Sequence, residues 1–97
     1  MAVVRFHRLA ARELNSTARF YEAASKGLGA RFLDAVESCV AQVTEFPASG
    51  EVATAEIRRK LVRGFPFAVV YRQLPDEIRI LAIMNLKRRP MYWVERE

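Results

Sequence analysis

Between Arg31 and Glu45 apolar side chains return every three or four positions: Phe32, Ala35, Val36, Cys39, Val40 and Val43 form one stripe, and Asp34, Glu37, Ser38, Gln42 and Glu45 lie opposite. That period predicts an amphipathic helix over 29–45. A quieter version precedes it, where Leu14, Thr17, Ala18 and Tyr21 recur at i, i+3, i+4 and i+7 in a stretch without Gly or Pro. It predicts a helix over 9–25. Lys26-Gly27-Leu28-Gly29 parts the two; glycine accepts the left-handed backbone that ends a helix, and so short a link folds the pair into an antiparallel hairpin. Pro47 stops the second helix, and residues 48–55, small and polar around Ser49-Gly50, read as a surface loop.

Past that loop the period drops to two. Residues 56–63, 67–73 and 77–85 are three runs rich in β-formers, parted by Gly64-Phe65-Pro66 and Leu74-Pro75-Asp76. Links this short make an antiparallel meander. In the middle run Phe67, Val69 and Tyr71 share a face and Ala68, Val70 and Arg72 the other, whereas Ile80-Leu81-Ala82-Ile83 is apolar on both faces. The last strand is therefore expected near the centre of the sheet. Val3, Val4 and Phe6 supply a short first strand that can pair at its side. The expectation is a single α+β domain over 1–97, ordered β-α-α-β-β-β, with an antiparallel sheet carrying the helical hairpin on one face.

Composition narrows the function classes. At 97 residues there is no room for a second domain. Apolar runs are far shorter than the roughly 20 residues of a bilayer span. One cysteine and one histidine make neither an internal disulfide nor a Cys/His metal site. With no secretory leader legible, a cytoplasmic setting and no cofactor are expected. The net charge of +5 is unevenly spread: between residues 58 and 89 nine basic side chains stand against two acidic ones. A field of that kind draws a nucleic acid or an acidic protein partner.

Few groups offer chemistry. His7 lacks a second histidine or an acid at a recognisable spacing, Cys39 sits on the apolar stripe, Gly27 and Gly29 form no phosphate loop, and Asp76-Glu77 occupies a hairpin tip. Binding is better served. Arg58, Arg59, Lys60 and Arg63 interleave with Ile57, Leu61 and Val62, so charge borders both faces of a strand, as expected at a sheet edge. In the tail, Lys87-Arg88-Arg89-Pro90 is followed by Tyr92-Trp93 and Arg96. Arginines beside aromatics serve phosphate contact and protein hot spots alike, or the two rings cover the open side of a thin core.

Taken in order, Phe20-Tyr21-Glu22, Leu28-Gly29-Ala30-Arg31-Phe32-Leu33, Phe46-Pro47, Ile57-Arg58-Arg59, Phe65-Pro66-Phe67-Ala68-Val69-Val70-Tyr71-Arg72, Ile80-Leu81-Ala82-Ile83 and Arg88-Arg89-Pro90-Met91-Tyr92-Trp93 resemble the RelE/ParE toxin superfamily, in its ParE-like, plasmid-stabilisation branch. The resemblance implies the same fold, an acidic antitoxin expressed alongside, and a toxin that inhibits DNA gyrase by binding. Arg58, Arg59, Lys60, Arg63, Arg88, Arg89, Tyr92 and Trp93 are then the target-binding candidates. The superfamily's other branch cleaves messenger RNA on the ribosome with basic side chains and a tyrosine, which Lys60, Arg63, Arg88, Arg89 and Tyr92 match by type. A chain that survives only as a non-toxic binding module is the third reading. Where the family often carries Ala-His, this chain has Met84-Asn85. Asparagine does not titrate, which favours binding over proton transfer.

Overall fold

The computed structural model describes residues 2–89 and 91–96; the rigid Pro90 invoked for the tail lies outside them. Along the chain run β1 (Val3–Phe6), α1 (Arg8–Ala24), α2 (Leu28–Glu45), a single 3-10 turn (Pro47–Ser49), β2 (Glu51–Thr54), β3 (Ile57–Leu61), β4 (Phe67–Leu74) and β5 (Glu77–Asn85). The α+β arrangement with a helical hairpin on one face of the sheet is as expected.

The hairpin closes through three side chains. Gly27 takes the left-handed backbone at φ +85° and begins α2 without a capping side chain of its own. Glu22, from the last turn of α1, fills that role: its carboxylate accepts from the Gly27 and Gly29 N–H groups at 3.0–3.1 Å. Gly29 is where the helices touch, since a Cβ there would stand 2.5 Å from the Ala18 carbonyl oxygen. Tyr21, Phe32, Phe65 and Phe67 then pack as an aromatic cluster with ring centroids 5.1–6.3 Å apart.

The sheet departs from expectation in three ways. It has five strands in the order β1-β5-β4-β3-β2, because the expected loop over 48–55 contains β2. Residues Glu51–Thr54 carry little strand propensity and become a strand by pairing with β3, Glu51 opposite Arg59, through a register shift between Val52 and Thr54. Consequently β3 is not the edge, and its cations do not guard one. The sheet is also mixed rather than wholly antiparallel, since β1 runs parallel to β5, Val4 beside Ile78 and Phe6 beside Ile80. Finally β4, not β5, is the middle strand, although β5 is paired on both sides.

A bulge explains the doubly apolar run in β5. Val70 lies opposite Ala82 but Tyr71 lies opposite Ile80, so Leu81 is the extra residue. Ile78, Ile80 and Ile83 therefore all point to the helices, packing with Phe32, Val36, Cys39, Val43, Val69 and Tyr71. Leu81, Ala82 and Met84 point the other way and form a second cluster with Ile57, Ala68, Val70 and Trp93. The thin domain has two cores, one on each face.

Cys39 belongs to the first. Its thiol donates weakly to the Lys60 and Leu61 carbonyls at 3.6 Å, and burial pushes its pKa up to about 11. At neutral pH it is a protonated, covered thiol. Modification by a disulfide reagent should be slow in the native protein and rapid in denaturant; equally fast labelling in both would contradict this packing.

Candidate target-binding surface

The eight predicted site residues divide into those that build the fold and those that face outward. Arg58 builds. It lies on the helix side of β3, and its Nη1 donates to the carbonyls of Gly50 (2.8 Å) and Ala48 (3.3 Å), tying down the turn after α2. The same turn is held by Tyr71, whose hydroxyl donates to the Pro47 carbonyl at 2.6 Å and accepts from the Gly50 N–H at 3.0 Å. Lys60 is half-buried on that side as well.

Trp93 also builds, as the cover considered for it in the sequence. It is 1% exposed, packs on the helix-free face, and aims its indole N–H at the Met84 sulfur, 3.2 Å away. Tyr92 is held beside it. Its hydroxyl donates to the Glu13 carboxylate at 3.0 Å, which also receives both Nη groups of Arg96 at 3.0 Å and the Ile83 backbone N–H at 3.0 Å. Burial, then the adjacent Glu13 charge, pushes the Tyr92 phenol up to about 12. The tail is thereby strapped to α1 and β5.

The outward set comprises Arg59, Arg63, Arg88 and Arg89. Arg59 stands on the helix-free face, partly exposed and paired with Glu51 at 3.2 Å. Arg59, Val52, Met91 and Trp93 line one shallow cleft of about 210 Å³, so the strap and β3 meet there. Leu61, directed to the same face, is 63% exposed. Arg88 stacks its guanidinium 4.4 Å from the centroid of the Tyr92 ring, and Arg89 follows it in an exposed turn. Arg63 lies apart, at the β3–β4 turn beside Gln42 and Leu61. The result is a convex, cationic rim around a small apolar cleft, suited to a large partner rather than to a small substrate.

Groups overlooked in the sequence include Glu13, which looks like an ordinary surface carboxylate of an amphipathic helix. Its position three residues after the buried Ala10 and four before Thr17 places it on the inward side of α1, and that was the available signal. His7 caps α1, its Nδ1 accepting from the Leu9 N–H at 3.1 Å. Asn85 accepts from the Lys87 N–H at 2.9 Å and so shapes the turn carrying Arg88. Among the described residues no cluster of three or more His, Cys, Asp or Glu is placed to hold a metal. No helix is long and apolar enough to cross a membrane.

Compared with known proteins, residues 4–90 match the family described as ParE toxin of type II toxin-antitoxin system, parDE. The chain belongs to the ParE toxin family. A solved structure titled "Chromosomal ParDE TA system from P. aeruginosa" has a similar fold, with a TM-score of 0.66 and 24% sequence identity over 90% of this chain and 98% of that one. None of the curated proteins matches. As a ParE-family toxin, the chain is half of a toxin–antitoxin pair. Much of the motif series that carried the resemblance proves architectural: Tyr21, Glu22, Gly29 and Phe32 close the hairpin, and Pro47, Arg58 and Tyr71 fix the turn after it.

Proposed function

We propose that this ParE-family toxin inhibits DNA gyrase by binding, in the cytoplasm, and that an acidic antitoxin neutralises it. The observation that carries the reading is the rim of exposed cations, Arg59, Arg88 and Arg89, around the cleft formed by Val52, Met91 and the strapped tail. Arg63 extends the charge along β3, whereas Arg58, Lys60, Tyr92 and Trp93 act by holding the surface in shape.

Proton-transfer chemistry finds little support in the same surface. The Tyr92 phenol donates to Glu13 and is pushed up to about 12, which makes it a poor base at neutral pH. Messenger cleavage on the ribosome is therefore the second choice. Supercoiling by purified gyrase and ribosome-dependent messenger cleavage, assayed with one preparation, separate the two. Supercoiling should be inhibited and messenger left whole, and Arg88→Ala or Arg89→Ala should each weaken inhibition by about 1–2 kcal/mol, a graded loss typical of contact residues. Site-specific messenger cleavage that disappears on changing Lys60, Arg63 or Tyr92 would overturn the gyrase reading.

A further inference from the structure

We propose that the outer edge of β1 receives a sixth strand: an extended segment of the neutralising partner whose side chains alternate between acidic and apolar. This rests on the antitoxin reading above and assigns the partner a place and a chemistry.

The backbone of β1 is half used. The Val3 N–H donates to the Asp76 carbonyl at 3.1 Å and the His7 N–H to the Ile80 carbonyl at 2.8 Å. Residues 3, 5 and 7 therefore turn their peptide groups to β5, and by the alternation of a ladder Val4 and Phe6 turn theirs outward. β1 ends the strand order, so these groups form an open edge.

The two faces beside that edge differ in kind. On the helix side Ala2 and Val4 open into an apolar groove of about 490 Å³, walled by Val40, Ala41 and Thr44 of α2 and rimmed by Glu37 and Glu45. On the helix-free side the Arg5 side chain is 66% exposed and in register with Arg79. Arg5 (3.4 Å) and Arg79 (2.6 Å) share a single carboxylate, Glu77, so the patch keeps a positive charge. Arg8 adds to it across a shallow cleft of about 370 Å³.

A strand laid on this edge places alternate residues on the two faces. Apolar side chains on one face would fill the groove beside Val4, and Asp or Glu on the other would lie next to Arg5. Sliding the strand by one residue would turn its acids toward Glu37 and Glu45 and its apolar groups toward Arg5, so the register is specified. A second copy of this chain is a poor occupant, because it would bring another Arg5 and Arg8 to the same face with no added carboxylate. A nucleic acid would satisfy the arginines but neither the groove nor the backbone edge.

The test uses the full chain and a nine-residue, end-blocked peptide alternating Glu and Val, with binding followed by fluorescence anisotropy. Three control peptides accompany it: one with Lys in place of Glu, one of the same composition in blocks, and one N-methylated at alternate residues on the pairing side. Saturable binding of the alternating peptide is expected, with the Lys and block versions weaker by roughly tenfold or more and the N-methylated one lost. Arg5→Glu, a change at an exposed side chain, should weaken the Glu peptide about tenfold and favour the Lys peptide. No saturable binding, equal binding of the N-methylated or block peptide, indifference to Arg5→Glu, or displacement by single-stranded DNA with no effect of N-methylation would each overturn the proposal. Gyrase inhibition with a failed peptide test removes the sixth strand alone; a successful peptide test without gyrase inhibition removes the gyrase reading alone.

Discussion

Trp93→Ala is expected to cost about 3–5 kcal/mol of stability, the range found when a large buried aromatic is cut back to a methyl group. The residue is 1% exposed and is the lid of the second core, over Ile57, Ala68, Val70, Leu81, Ala82 and Met84. Helices cover the opposite face of the sheet; on this face the cover comes from the tail. Against a domain stability of roughly 5–15 kcal/mol, the loss takes a large share and leaves some molecules unfolded at moderate temperature. Urea unfolding followed by far-ultraviolet circular dichroism measures it. Trp93→Phe should lose less, since it keeps most of the apolar cover and gives up the N–H contact to Met84. An unchanged midpoint in the alanine variant, together with lost gyrase inhibition, would make Trp93 a target contact and not a lid.

What the sequence revealed follows the range of the interactions involved. The α2 stripe was legible because Phe32, Val36, Cys39 and Val43 repeat within one local element. β2 was not, because Glu51–Thr54 becomes a strand only through β3, and nothing inside those four residues announces it. In β5 the doubly apolar run was visible, but its division between two cores depends on a bulge set by pairing with β4. The candidate surface shows the same division. Arg59, Arg88 and Arg89 were recognisable from charge alone and are exposed or partly so. Arg58 looked equivalent, yet the carbonyls that engage it come from a turn whose path required the fold. Glu13 and Arg96 lie 83 positions apart, beyond the reach of any spacing argument.

Glu13→Ala should be the second large effect, at about 2–3 kcal/mol. β1 ends at Phe6, and the last rung on that side of β5 runs from the His7 N–H to the Ile80 carbonyl. Further along, side chains complete the edge of β5: the Ile83 N–H donates to Glu13, and the Leu81 carbonyl accepts from Arg96 at 3.0 Å. Glu13 also holds the Tyr92 hydroxyl and both Nη groups of Arg96. Removing the carboxylate strands an N–H, a phenol and a guanidinium at once, and the Glu13 and Arg96 side chains are only 17% and 14% exposed. A fully buried pair broken on one side costs more, about 3–5 kcal/mol, and residual solvent access lowers the figure here. Because the residues act as one unit, Arg96→Ala should cost much less in the Glu13→Ala background than alone. The Tyr92 phenol provides an independent reading. Its folded pKa is raised from 10.0 to about 12, so its contribution to stability is complete below pH 10 and declines as pH rises toward 12. Glu13→Gln removes the negative charge and leaves the burial, so phenolate should form at lower pH than in the parent and the alkaline loss of stability should be shallower. Additive costs for Glu13→Ala and Arg96→Ala, with a Tyr92 titration unmoved by Glu13→Gln, would show that the strap is held by Trp93 alone.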